Sequence, residues 1–570
     1  MKYFIILFMF PFQLFAQSVY VPLNSDLYHL VDRYEIKRKK ISEHFNSSVR
    51  PYTRKSVVAL VDSVIQSEIA LSRTDKFNLS YCLIDNREWT LSDTLSLSKK
   101  SFPFFKHLYR TKGDLYAVKE TDFDLHVNPV VGFLYGKDNL YVASLYTNTR
   151  GAEIRGILGN KVGFYTFLTD NQIKFPYYVN ERIAERRAIP SEGFYKIEYI
   201  SRSSPRYDFF TARGYLTFEI IPKITSLQFG HDRFFIGNGY RSLILSDYAP
   251  SYLFLKLDTR VWRLHYTNLF TRMMANNVRV LGRYPRKYLA LHQLTTNITN
   301  HLSVSIFESV VFSRQDSMGN NPLEIDYLNP IIFYRAVEHW LGDPDNVLLG
   351  FDFKWNLAKK FRIYGQAVLD ELLLKEFFKQ TGWWGNKQAL QMGLIYVDVL
   401  KIKNLDIQLE HNIVRPFTYT HFGINTPFMN HQHYNQPLAH ALGANFREYI
   451  GILRYQPFPR ISLTAKQIWA LQGKDQAHEN FGSDIFKDYL TRSPAPNSNQ
   501  PDYGHKIAQG NRTVLYYTSV NISYMIKHNL FIDFQTIRRI QNSSLLQYNY
   551  NNLIWQFSVR WNLPPRLHEF

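Results

Sequence analysis

The chain has 570 residues, 67 Lys and Arg against 48 Asp and Glu for a net charge of +19, and 16% aromatic residues, with 43 Phe and 39 Tyr. That aromatic content is high for a soluble enzyme and suits a membrane barrel with two aromatic girdles. Beyond the N-terminus no apolar run reaches the roughly 18 residues of a spanning helix, and the single Cys82 excludes an intramolecular disulfide.

Residues 1–16 read as a signal peptide: Lys2, a largely apolar run, then Ala16 before Gln17. No Cys follows the cut, which argues against a lipoprotein. Nucleic acid is the usual partner of a strongly basic chain, but an exported protein rarely meets it. Acidic polysaccharide and lipopolysaccharide phosphate are better-placed counter-ions, and a wet lumen lined by Lys and Arg accounts for the charge equally well.

Residues 17–112 read as a helical region. Leu27, Leu30, Val31 and Tyr34 fall at helical spacing behind an N-cap at Asn24 or Ser25. Val57, Val58, Leu60, Val61, Val64 and Ile65 form a second amphipathic helix, and 69–84 reads as a third. A small helical cap packed on the rest of the chain is the simplest role for them.

From residue 113 to 570 the period changes from helical to two. Runs at 148–158 and 161–171 are joined by Gly159-Asn160, a two-residue hairpin signal. Phe351, Phe353, Trp355 and Leu357 alternate with Asp352, Lys354 and Asn356; Leu405, Ile407, Leu409 and Ile413 with Asp406, Gln408, Glu410 and Asn412. Val514 to Tyr524 and Leu530 to Phe534 repeat the pattern. Near the end, Leu553, Trp555, Phe557, Val559, Trp561 and Leu563 are apolar, between mostly polar neighbours. Successive strand side chains point to opposite faces, so each run has one oily and one wet face, as a barrel strand requires. The terminal Phe570 suits a C-terminal insertion signal. The windows predict an outer-membrane antiparallel β-barrel of about 18 strands, a number within the even counts of bacterial barrels.

Longer polar stretches separate the strands and are placed outside the cell by length. Residues 173–192 carry Arg182, Arg186 and Arg187; 272–287 carry Arg279, Arg283 and Arg286; 380–387 carry Trp383 and Trp384; 472–512 is the longest. Arg forks bind carboxylate or phosphate, and rings pack on the apolar face of a pyranose. Arg182, Arg186, Arg187, Arg279, Arg283, Trp383 and Trp384 are therefore the candidate glycan-binding residues.

Two constellations resemble catalytic sites. His421, His431, His433 and His440 crowd one stretch, but without Cys or carboxylates at ligand spacing they predict no metal. Asp370 and Glu371 are adjacent, so on a strand they should point to opposite faces and cannot flank one glycosidic bond. There is no Gly-rich phosphate loop and no nucleophile elbow. The reading is a protein without catalytic residues, metal or cofactor.

The stretch 21–57 resembles the opening of the capsule-assembly Wzi family: Pro22-Leu23, an aromatic-containing helix, a basic link, then Arg50-Pro51-Tyr52-Thr53-Arg54 leading into another helix. Within that family the wording is most similar to RemB-like proteins of surface gliding. Asn128-Pro129, the run FGHDRFFIGNGYRSLILSDYAP at 229–250, Leu328-Asn329-Pro330 and the run at 345–350 agree. The resemblance implies a barrel of about eighteen strands with an N-terminal helical bundle packed at the periplasmic end. It implies binding or anchoring of surface polysaccharide, support of capsule assembly, and contact with outer-membrane lipid and lipopolysaccharide. The alternative it implies is a part of a gliding-motility or adhesin-export apparatus. The Pro22 to Arg54 signature is structural in this reading.

Overall fold

The computed structural model describes residues 18–90, 108–109, 111–141, 143–159, 161–198, 205–275, 284–313, 323–324, 326–331, 334, 337, 345–421, 429–496 and 498–570. The predicted signal peptide, Asn160, Arg279 and Arg283 lie outside them.

Eighteen strands form a closed antiparallel barrel. They are β1 (Phe123–Asp138), β2 (Leu145–Leu158), β3 (Val162–Lys174), β4 (Arg206–Ile221), β5 (Thr225–Asp232), β6 (Tyr252–Val261), β7 (Leu264–Met274), β8 (Arg286–Thr299) and β9 (Leu302–Phe312). The second half continues with β10 (Asn346–Leu357), β11 (Phe361–Glu371), β12 (Lys387–Tyr396), β13 (Leu405–Val414), β14 (Phe446–Phe458), β15 (Ile461–Lys474), β16 (Asn511–Lys527), β17 (Leu530–Ser543) and β18 (Tyr550–Trp561). Each strand pairs with the next, and β18 closes on β1 from Trp561 opposite Val131 to Ile554 opposite Asp138. Closure leaves no sheet edge with unpaired backbone groups, which lipid could not satisfy.

The strand period decides the faces. On β18, Leu553, Trp555 and Phe557 are exposed whereas Asn552 and Ile554 are fully buried. On β10, Phe351 and Trp355 face out while Asp352, Lys354 and Asn356 face in. The predicted alternation is therefore present with its register. Leu563 departs from it: the strand ends at Trp561 and Leu563 turns inward against Gly132. Pro564 and Pro565 come next, and residues without a backbone N–H cannot extend a ladder.

Turns alternate between two rims. One rim has short connections, such as 222–224, 262–263, 300–301 and 528–529; the other carries the long ones, 233–251, 415–445 and 475–510 among them. The short connection after β2 joins strands that end at Leu158 and begin at Val162. The 173–192 stretch is not simply a polar loop: β3 continues to Lys174, and a helix, α4 (Tyr177–Arg186), comes after it on the long-loop rim.

Three helices plug the short-turn end: α1 (Leu27–Arg38), α2 (Arg54–Ile65) and α3 (Arg73–Asp85). Thr53 caps α2 by accepting from the Ser56 N–H at 3.2 Å, and Ser72 with Asp75 forms a capping box on α3. For α1 the N-cap is Asp26, not Asn24 or Ser25, although the Ser25 hydroxyl accepts from the Leu27 N–H. Leu27, Val31 and Tyr34 pack with Val57, Val61 and Leu79 into the plug's own core.

Ion pairs dock this plug to the wall. Arg33 binds Asp75 at 3.2 Å, Asp398 at 2.6 Å, and Asp406. Arg362 on β11 reaches Glu35 at 2.6 Å and also Asp32. Arg54 holds Asp85 at 3.0 Å, and Asn529 in a short turn donates to the same carboxylate at 2.8 Å. Burial works against the charges of Asp75 and Asp85. Arg33 and Lys37 around the first, and Arg54 around the second, outweigh it and hold both carboxyls below the ordinary carboxylate range.

The lumen is filled from the other end as well. The loop 233–251 folds inward and buries Phe234, Leu243, Ile244 and Leu245. Its Gly237 has φ +140°, a conformation that favours glycine, and Gly239 packs against the side-chain ends of Gln391 and Glu410. Glu410 accepts from the Tyr240 and Arg241 backbone N–H groups at 2.6 and 3.0 Å. The loop 415–445 is stitched to it: Tyr419 donates to the Leu243 carbonyl at 2.7 Å, and the Ser246 N–H to that of Leu438 at 2.8 Å.

Candidate functional site

The long-loop rim brings two connections together. Backbone bonds join them: the Trp384 N–H donates to the Asp502 carbonyl at 3.0 Å, Gly504 to Thr381 at 2.9 Å and His505 to Gly382 at 2.9 Å. Gly382, at φ +69°, sits where a Cβ would lie 2.8 Å from the His505 nitrogen, so the joint requires glycine. The outcome is an aromatic platform. The Trp384 ring stacks on Tyr489 with centroids 4.9 Å apart and 25° between planes. Arg492 lies 4.5 Å over Trp384, and the Lys387 ammonium stands 4.9 Å from the Tyr489 ring and 5.3 Å from Trp384. Trp383 borders it at 6.0 Å.

Trp383, Trp384 and Tyr489 are all half-buried. Such a surface offers flat apolar area of the kind that packs on a pyranose, while its cations already have partners: Arg492 donates to Asp502 at 2.8 Å, and fully buried Lys387 pairs with Glu371. Trp383 and Trp384 were candidates from sequence; Tyr489 and Arg492 were not. The only signal for the latter pair was their position in the longest polar loop.

The Arg candidates divide. Arg186 on α4 pairs with Asp484 at 2.9 Å and stacks at 4.4 Å over Phe486, so it ties α4 to the 475–510 loop. Burial works against its charge, but Asp484 and Glu185 outweigh that and raise its pKa. Arg182 lies 4.8 Å over the Phe570 ring and 3.7 Å from Glu185. Arg187, the left-handed C-cap residue of α4, is exposed. Arg182 and Arg186 thus serve packing and pairing, and none of the three touches the Trp384 platform through an observed contact.

The other motifs have packing partners. Arg50 lies between the Tyr28 and Phe235 rings, at 5.5 and 4.8 Å, and 3.6 Å from Asp32. Tyr52 donates to the Ser47 carbonyl at 2.8 Å. With capping Thr53, buried Leu23 and paired Arg54, the 22–54 signature builds the plug. His431 contacts the Ile244 carbonyl at 2.7 Å, and His433 accepts from the Met274 N–H at 2.9 Å while its other nitrogen faces the Ser251 carbonyl at 3.2 Å. Burial pushes His431 down to about 4 and His433 to about 3, so both are neutral loop-locking groups. His440 pairs with Glu448 at 2.7 Å.

Asp370 and Glu371 overturn the alternation argument. A β-bulge lies between Leu369 and Glu371, and both carboxylates turn inward. Asp370 accepts from the Tyr419 N–H at 2.8 Å, and Glu371 pairs with buried Lys387 at 3.1 Å. Phe570 is likewise not in the last strand. Residues 562–570 run back through the lumen, Phe570 is buried against Tyr178, and Arg539 donates twice to its carbonyl oxygen, at 3.0 and 2.8 Å.

No protein-family model and no curated protein matches the chain. Among solved structures it is similar to Wzi of Escherichia coli, described as an outer-membrane protein involved in group 1 capsule assembly and a carbohydrate-binding β-barrel. The TM-score is 0.56 at 13% identity, over 97% of this chain and 100% of that one. OprD of Pseudomonas aeruginosa is similar at a TM-score of 0.42 and 12% identity, over 77% of this chain and 94% of that one. The Wzi likeness establishes the fold: a closed outer-membrane-type β-barrel.

Proposed function

We propose that this protein is an outer-membrane barrel that binds and anchors anionic surface polysaccharide and supports capsule assembly, acting as a binding protein and not as an enzyme. The short-turn rim, with its helical plug, faces the periplasm; the long-loop rim faces outward above lipopolysaccharide. The observation that carries the reading is the Trp384–Tyr489 stack flanked by Arg492 and Lys387 on that outer rim. A lumen filled by the plug, two inward loops and residues 562–570 favours work at the surface over diffusion through a pore. The carbohydrate-binding description of the Wzi barrel, together with the 22–54 motif, agrees with this reading.

Exchanging Trp384 for Ala and Arg492 for Gln in the cell tests it. Polysaccharide should pass from the cell surface into the medium while the amount of folded barrel stays constant. Unchanged retention with failed surface spreading would instead support the gliding-apparatus role. Unchanged retention and unchanged spreading would remove the platform from either role.

A further inference from the structure

Between the plug, α4, the loop 233–251 and residues 562–570, the barrel encloses a chamber of about 450 Å³. Small-molecule sites commonly occupy about 300–1,000 Å³. Its walls mix cations with neutral polar groups. From β13 to β18 Gln408, Thr464, Ser519 and Asn521 line it beside Arg454, Lys466, Arg560 and Asp533. Lys174 of β3 and Arg213 of β4 line it together with Arg233 and Arg566.

The charges do not balance. Nine Lys and Arg line the chamber against six Asp and Glu, an excess of three positive charges. Arg213 lies 3.8 Å from both Glu192 and Asp232, and Arg566 lies 3.9 Å from the same Glu192. None of these ion pairs reaches hydrogen-bonding distance, although Arg566 donates from its Nη1 to Thr149 at 3.2 Å and from its Nη2 to Asn171. Arg233 uses its Nη1 on the backbone carbonyls of Ser191 and Asp247, at 3.2 and 2.7 Å. The Nε groups of Arg213 and Arg233 are buried, with no hydrogen-bond partner among the described residues. Across the chamber Arg454 donates to Gln408 at 3.0 Å.

A guanidinium without a carboxylate at hydrogen-bonding distance, as at Arg213, leaves its charge poorly compensated, and an oxyanion in the chamber supplies the missing negative charge. A bare inorganic anion would leave most of the volume and the whole polar wall unused. We infer that the chamber is a second binding site, for a monosaccharide-sized ligand bearing one carboxylate or phosphate, with the oxyanion on Arg213, Arg233 and Arg566 and the sugar hydroxyls on the Ser519–Asn521 wall. The inference stands apart from the rim platform: the chamber and the rim share none of the residues named for either.

Calorimetry on the full-length protein in detergent tests it, with glucuronate and glucose 6-phosphate as probes and glucose and inorganic phosphate as controls. At least one anionic sugar should bind saturably and at least tenfold tighter than glucose. Preference for glucuronate points to a uronic-acid unit as the natural source, and preference for glucose 6-phosphate to a phosphorylated sugar. Arg566→Gln should weaken the anionic sugar at least tenfold. Asn521→Ala, which leaves every charge in place, should weaken the sugar but not inorganic phosphate, and it keeps the test decisive if Arg566→Gln fails to fold. Saturable binding of neither anionic sugar, or binding that Asn521→Ala and a folded Arg566→Gln leave unchanged, overturns the inference. Either outcome leaves the rim experiment unaffected.

Discussion

Arg362 on β11 donates to Glu35 on α1 at 2.6 Å, and neither side chain reaches solvent. The barrel wall and the helical plug are thus joined by a charge pair that forms only when both are in place. Glu35→Ala leaves the Arg362 guanidinium buried with a poorer set of partners and should destabilise the docked plug by about 3–5 kcal/mol. The double exchange Glu35→Met with Arg362→Met should cost less than the single one. Chemical unfolding followed by heat-modifiable gel migration measures both; a double variant worse than Glu35→Ala would contradict the pairing.

The plug's own ion pairs have a predicted pH dependence. The folded-state pKa values of Asp75 and Asp85 lie below their unfolded values, so their contribution is complete above the unfolded value of about 3.9. It is lost as pH falls through the folded values. Hydrogen exchange across residues 27–85, corrected for intrinsic rates, should be unchanged from pH 7 to 5 and faster at pH 3. Loosening already between pH 7 and 5 would show that other groups control the plug.

The faces of β18 give a paired test. Phe557 is exposed on the outer face, and replacing it by Arg should cost about 2–4 kcal/mol if it lies near the bilayer midplane. Gln556 lines the chamber. Gln556→Glu adds an acid to a cation-rich space and should leave folding intact. Equal behaviour of the two variants would place the strand in the opposite register.

Orientation is open to labelling. An epitope inserted at exposed His478 in the 475–510 loop should be reached by antibody on intact cells, and one at Lys223 in a short turn should not. The reverse pattern would invert the two rims.

What the sequence made legible was whatever depends on a local period. Alternation at Leu553 to Trp561 identified the lipid face because strand side chains repeat every two residues, and Val57 to Ile65 identified α2 because helical faces repeat at 3.6. The candidate site was legible only in part. Trp383 and Trp384 stood out as an aromatic pair, but their union with Tyr489 and Arg492 depends on a loop-to-loop ladder that no local pattern encodes. The bulge at Asp370 was equally hidden, since one extra residue resets the alternation without a compositional mark. The inward turn after Trp561 did leave a mark, Pro564-Pro565, which the apolar Leu563 masked.

The central claim is that the outer-rim platform holds an acidic glycan. Its most direct measurement is the affinity of the purified barrel for the cell's own surface polysaccharide, taken at two salt concentrations, with Trp384→Ala and Arg492→Gln alongside. The account predicts saturable binding that weakens at least tenfold in each variant. It also predicts that the wild-type affinity falls with salt, because charges at a half-open rim are screened within about 8 Å at physiological ionic strength. Binding that is unaffected by salt and by both substitutions would contradict it.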